Sequence, residues 1–403
     1  MPGVHNIVKL AVAGIVLAAA SSVSAATYDP GASDKEIKIG NIMPYSGPLS
    51  AYGTIGRGIA AYFKKVNDEG GVNGRKLVFV TYDDGFQPPK TVEQARRLVE
   101  QDEVLLIFNS LGTPTNLAIR KYLNAKKVPQ LFVATGATVF GEPQEFPYTM
   151  GWQPNYQTES RIFAKYILQT RPNAKIGILY QNDDAGRDYL KGLRDGLGSH
   201  ASQIVKEQTY EVTDPTVDQQ IVALRNSGAD VLFLEAAPKQ ATQGIRKVAE
   251  LGWKPPLFLI PSISTSIKAV LEPAGFENAK DIVSTVYIKD ADDPAWAKDA
   301  GVNGWREWMS KYYPEGNVHD GFNIYAYSVA QTMVQVLKQC GDDLTRANVI
   351  KQAASLRNLE LPMLLPGIKV ETGPADFYPI EQMQLMQWTG SSWKRFGNVL
   401  SSR

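Results

Sequence analysis

Cysteine occurs once in 403 residues, at Cys340, and histidine three times, at His5, His200 and His319. A lone cysteine closes no internal disulfide. So few sulfur and imidazole ligands leave no CxxC pair and no HExxH helix, and EF-hand spacing is absent too, so no metal centre is expected. Charge of one sign is also missing: 42 Lys and Arg face 41 Asp and Glu, with no block of like charges. A nucleic-acid partner would need a basic surplus or stripe, and none is expected. The signatures of common catalysis are absent too, with neither a G-x-S-x-G elbow nor a Walker-type lysine loop. A Ser–His–Asp triad would have to use His200, in the polar turn GSHASQ, or His319, beside Asp320, which is the expected N-cap of a helix. The reading is of a chain that is not an enzyme and carries no cofactor.

Long apolar runs are scarce as well. Residues 10–20, LAVAGIVLAAA, are too short to span a bilayer comfortably. They are followed by SSVSA, with Val23 and Ala25 at the cleavage positions of a secretory signal peptide ending near Ala25. No cysteine follows to take a lipid. The expected product is a periplasmic protein without disulfides, which must rely on a large core.

What is present is an alternation of strand and helix signals. IKIGNIM (37–43) leads into a helix with Ile55, Ile59, Phe63 and Val66 on one face, stopping at Gly70-Gly71. KLVFVTYDD (76–84), a helix opened by Pro88-Pro89, VLLIFNS (104–110), a helix capped by Thr113-Pro114, and VPQLFVATGAT (128–138) follow. The pattern restarts at 170–197, 205–226, 229–253 and 255–264. Repeated strand–helix units mean parallel α/β sheets, here two lobes of similar build. Long helical patterns at 298–313 and 321–340 come after the second lobe is complete. A C-terminal stretch rich in β-formers begins near Gly367.

GTIGRGIAA (53–61) contains G-x-G-x-x-A, and Asp83 and Asp84 end the next strand, where a dinucleotide fold places its ribose acid. Pyrophosphate recognition requires the glycines to follow the strand directly. Here the loop MPYSGPLSAYG (43–53) intervenes, so Gly56 and Gly58 read as close-packing positions within the helix.

Ligands of open α/β sheets bind at the carboxyl ends of the strands. The loops there offer Tyr45, Ser46, Ser50 and Tyr52, then Asn109, Ser110, Gly112 and Thr113, then Thr135, Gly136, Ala137 and Thr138. The second lobe offers Tyr180, Asn182, Asp183, Asp184, Glu235, Ala236, Ser262 and Ser264. Hydroxyls and free amides at helix starts hold a carboxylate without an arginine. Tyrosines add flat apolar walls with a polar tip.

The run 46–104, together with LFVATGAT, NDDAGRDYLKGLRDGL and YAYSVAQTM, resembles the periplasmic leucine/isoleucine/valine-binding proteins of ABC importers. The likeness extends over nearly the whole mature chain. It implies an α/β fold of two Rossmann-like lobes joined by a three-stranded hinge, the type I periplasmic binding protein fold. Residues 26–150 and 283–365 would form lobe 1, and 151–282 and 366–403 lobe 2. It implies a monomer that traps a small carboxylate-bearing solute and hands it to a membrane permease. A ligand-sensing module for a membrane receptor is the other role the sequence leaves open. By the resemblance, Tyr52 lies beside the ligand, Ser110, Gly112 and Thr113 hold its carboxylate, and Gly136, Ala137 and Thr138 bind it too. Ala185, after Asp184 in NDDAG, falls where an aromatic usually closes over the ligand, and Ala237 near another tyrosine position. Ser262 replaces the acid that pairs with an amino acid's ammonium group. A buried ammonium without an anionic partner is costly. The expectation is an organic or aromatic acid rather than an amino acid, with Glu235, Asp184 and Asp320 as the acids that would restore the charge from another direction.

Overall fold

The computed structural model describes residues 26–401; the predicted signal peptide lies outside the described residues. Strands β1 (Glu36–Met43), β2 (Lys76–Asp83), β3 (Leu106–Phe108), β4 (Gln130–Val133) and β5 (Thr149–Gly151) form a parallel sheet in the order β2-β1-β3-β4-β5. Helices α1 (Gly53–Asp68), α2 (Pro88–Glu100) and α3 (Thr113–Ala125) connect its strands. β1 is buried at Ile37, Ile39, Ile42 and Met43, a run covered on both faces as parallel sheets require.

A second sheet contains β6 (Ile176–Gln181), β7 (Ile204–Tyr210), β8 (Val231–Leu234), β9 (Leu257–Leu259), β10 (Val283–Val286), β11 (Gln382–Trp388) and β12 (Trp393–Ser401), in the order β12-β11-β10-β9-β8-β6-β7. β6 to β10 run parallel, and β11 and β12 add an antiparallel edge. Its helices are α4 (Tyr156–Thr170), α5 (Asp184–Leu197), α6 (Asp218–Asn226) and α7 (Pro238–Glu250).

The chain passes between the lobes three times. It leaves the first sheet after Gly151 and enters α4 at Tyr156. It returns after β10, where Ile288 bridges Leu364 in antiparallel fashion and the Lys289 N–H donates to the Met363 carbonyl at 2.7 Å. Helices α8 (Ala300–Tyr312), α9 (Gly321–Cys340) and α10 (Arg346–Ala353) follow. α8 and α9 pack on α1, and Asp343–Leu344 pairs with Thr27–Tyr28. The chain then crosses a last time to reach β11. Val283–Val286 pairs with β9 and β11, so the boundary expected at residue 283 falls instead after β10. The reason is that four buried residues here, VSTV, complete the second sheet before the chain can leave it.

Two smaller expectations also change. α3 has Gly112, not Thr113, at its N-cap, with no side-chain cap, and β5 lies in a stretch that showed no strand pattern. Gly58, in contrast, serves close packing: a Cβ there would lie 2.7 Å from the Ala326 Cβ on α9.

Trp152, at the first crossing, is fully buried and donates its indole N–H to Thr332 Oγ1 at 3.0 Å. It stands edge-on to Tyr325 at 5.1 Å and Tyr287 at 6.1 Å. It thus ties one crossing to α9 and to the segment after β10. Trp152→Ala should lower stability by about 3–5 kcal/mol, the usual loss for a truncated core tryptophan. A shift of the urea midpoint measures it.

Candidate functional site

The carboxyl ends of β1, β3 and β4 face those of β6, β8 and β9 across a cleft that encloses roughly 1010 Å³ free of protein atoms, solvent at the mouth included. Among the described residues no lysine, arginine or histidine lines it.

The loop 43–53 supplies one wall. Its length is set by side-chain ties to the next loop: Asp83 accepts from the Ser46 N–H at 3.1 Å and the Gly85 N–H at 3.0 Å, and the Tyr45 and Thr81 hydroxyls pair at 2.7 Å. Asp84 accepts from Thr91 Oγ1 at 2.7 Å, so both strand-end acids are used in shaping loops. A single 3₁₀ turn at Ser50–Tyr52 then brings Tyr52 into the cleft, where its ring meets Phe322 at 4.9 Å. Leu49, Ile55, Phe86 and Tyr325 complete the apolar part.

At one pole stands the start of α3. Gly112, at φ 99°, and Thr113 line the cavity. Thr113 Oγ1 and Thr135 Oγ1 are 2.7 Å apart, and Thr135 donates to the Tyr156 hydroxyl at 3.3 Å. The first amides of a helix lack intrahelical acceptors and carry the positive end of its dipole. A side chain at Gly112 would also strike the Phe86 ring at 2.3 Å.

The opposite pole is acidic: beside Ser262, which carries no charge, stand Glu235, one of the acids that the sequence offered in its place, and Asp183, with Glu159 behind Ser262. Glu159, buried on α4, accepts through Oε1 from the Ser262 N–H at 2.6 Å and from Thr285 Oγ1, and through Oε2 from Ser262 Oγ at 3.1 Å and the Tyr189 hydroxyl at 2.9 Å. Burial raises its pKa above the usual carboxyl value, against the pull of these four donors. Asp183 lines the cleft and caps α5, accepting from the Ala185 and Gly186 amides and from Gln181 Nε2. Burial raises its pKa too, opposed by those donors. Glu235, directly after β8, lines the cleft and accepts from the Gln181 N–H at 2.7 Å. Burial pushes its pKa up to about 8; the Gln181 amide opposes this, and Asp183 and Glu159 add to it.

Of the residues expected from the sequence, Tyr52, Gly112, Thr113, Ala185, Ala237 and Ser262 line the cleft. Ser110 does not: its hydroxyl is spent on Asn116 Oδ1 within the first lobe. Gly136 and Ala137 line a small adjoining cavity instead, and the Gly136 carbonyl accepts from the Tyr156 N–H at 2.8 Å. Asp184 turns to solvent and pairs with Arg187 at 2.7 Å, because its neighbour Asp183 holds the inward N-cap position. Thr138 forms a clasp between the lobes: its N–H and Oγ1 reach the two oxygens of Asp188 on α5 at 2.6 and 2.9 Å. Other contacts across the cleft run from the Tyr52 hydroxyl to the Ile263 carbonyl at 3.4 Å and from Ser266 Oγ to Asp320 at 3.1 Å. Glu159, Thr285, Tyr156 and Phe322 were not expected. An acid in a first helical turn reads as a dipole complement, so YQTES gives no sign of Glu159's role.

Two α/β lobes, crossed three times by the chain and meeting over a cleft at their strand ends, define a two-lobed binding protein. The profile of the periplasmic binding protein family matches residues 36–392, and the chain belongs to that family. It is 24% identical to Leu/Ile/Val-binding protein homolog 7 of Brucella abortus (strain 2308), over 92% of this chain and 93% of that one. A branched-chain amino acid ABC transporter structure from Thermus thermophilus with bound valine superposes with a TM-score of 0.82 at 15% identity, covering 91% of this chain and 97% of that one. A solute-binding protein of an ABC transporter from R. palustris, in complex with 4-hydroxybenzoate, gives 0.76 at 16% identity, with the same two coverages. The fold is that of a type I periplasmic binding protein. Among the described residues no helix is long and apolar enough to cross a membrane.

An acid with a raised folded pKa keeps, on folding, a proton that the unfolded chain has already lost. For Glu235 that holds between the usual carboxyl value and about 8, so stability falls as pH rises through this window. Glu235→Gln removes the term. Its melting temperature relative to the parent should therefore rise progressively from acid to mildly alkaline pH in thermal unfolding.

Proposed function

We propose that the chain is the periplasmic receptor of an ABC importer, which closes two lobes over a small organic acid and delivers it to a membrane permease. The observation that carries this reading is the cleft itself: one pole is the α3 start with the Thr113–Thr135 hydroxyl pair, and the walls between the poles are aromatic and aliphatic. A carboxylate fits the α3 pole, and Ala185 and Ala237 leave room for an aromatic or longer-chain body. The predicted signal peptide and the importer relatives support export and transport.

The acids of the second lobe also fit a solute without an ammonium group. Glu159 receives four donors and Asp183 three, all from within the protein. Burial pushes the Glu235 pKa up to about 8, which favours its protonated form at neutral pH. Amino acids are the second reading, and Glu235 is what favours it, because an arriving ammonium would draw this carboxyl into its ionised form.

Calorimetry with matched pairs of amino acids and deaminated acids tests the choice: the acids should bind, and tight leucine binding with no response to acids would refute it.

A further inference from the structure

The donor count at the second-lobe pole specifies more than the absence of an ammonium. An ionised carboxylate offers about four acceptor sites on its two oxygens. Glu159 has two donors on each oxygen: the Ser262 N–H and Thr285 Oγ1 on Oε1, and Ser262 Oγ and the Tyr189 hydroxyl on Oε2. A hydroxyl has one proton to give. Those of Ser262 and Thr285 are both committed to Glu159, and both residues border the cleft, Thr285 fully buried and Ser262 partly exposed. Toward a ligand the Ser262 hydroxyl presents only lone pairs.

Glu235 presents the opposite polarity. It follows β8, Ser262 follows β9 and Thr285 lies in β10, so the three sit on successive strands at one sheet edge. Neighbouring strands are about 4.8 Å apart. One oxygen of Glu235 accepts from the Gln181 N–H. The charged groups near it are the acids Asp183 and Glu159; the other titratable neighbours are the phenols of Tyr52, Tyr156, Tyr189 and Tyr210, and no cation lines the cavity. A carboxyl so placed is retained as the neutral acid, whose O–H is a donor. An acceptor and a donor side by side match a hydroxyl group, which both gives and takes a hydrogen bond; an ammonium would match them only by first drawing Glu235 into its ionised form.

We propose that the solute is a hydroxylated carboxylic acid, and that Glu235 is the residue that selects its hydroxyl, donating to the oxygen while Ser262 accepts the proton. Glu159 acts as a positioning residue by fixing the direction of the Ser262 hydroxyl. This rests on the organic-acid reading above.

The test is calorimetry on the full mature protein with 4-hydroxybenzoate against benzoate, 2-hydroxy-4-methylpentanoate against 4-methylpentanoate, and leucine. In at least one pair the hydroxylated acid should bind more tightly by about tenfold or more, as sites built to hydrogen-bond a hydroxyl discriminate strongly. That preference should be larger at about pH 6.5 than at about pH 9, since Glu235 loses its proton near 8. Glu235→Ala should abolish it. Glu235→Gln, whose amide keeps a donor at every pH, should hold it at the higher pH. Ser262→Ala, which removes an acceptor, should lessen it and serves if the alanine variant at 235 does not fold. Acids that bind with no hydroxyl preference, or a preference that survives Glu235→Ala, would overturn the proposal and leave the organic-acid reading standing. Leucine binding with none from any acid overturns both.

Discussion

A carboxylate removed from water needs donors in place of its hydration shell, and among the described residues the buried acids beside the cleft are met by such donors, with no cation lining it. Glu159 shows how far the solution goes: a backbone amide and three hydroxyls, drawn from α4's neighbours on two strand ends and on α5, converge on one buried acid. Because those groups are held by Glu159, the loop after β9 and the strand β10 are fixed relative to α4, the first element after the chain enters the second lobe. The start of α3 borders the cleft at the other pole, where the first amides of a helix carry the positive end of its dipole.

Backbone geometry enforces the arrangement. Gly112 adopts a conformation that side chains avoid, and its missing Cβ makes room for Phe86. That lets the ring form a wall directly beside the start of α3. On the far side of the first lobe, Gly58 brings α1 against α9. This holds the segment carrying Phe322 and Tyr325 over the cleft, although it comes some 270 residues after the loop containing Tyr52 in sequence.

The alternation of strands and helices was legible because parallel strands are buried on both faces and read as apolar runs, while α1 showed its stripe of Ile55, Ile59, Phe63 and Val66. Strand β5 was not, since Thr149–Gly151 is held by pairing with β4 and not by any apolar period of its own. The site was legible where backbone sets the role, as at Gly112, and where an aromatic follows the first strand, as at Tyr52. It was not where the role depends on which way a side chain turns. Asp183 and Asp184 are adjacent and chemically alike, and only the N-cap geometry decides which one faces the cleft. Ser262 read as a lost charge because the acid behind it comes from a helix 103 residues earlier in the chain.

The clasp between Thr138 and Asp188 sits apart from the walls of the main cavity. In the closure proposed above, whatever free energy it contributes on shutting is the same for every occupant. It therefore scales the affinity for all solutes together and cannot help the protein tell one from another. Gain and selectivity reside in different parts of the molecule: alterations at the clasp would retune how readily the receptor shuts at a given solute level while leaving its order of preference intact.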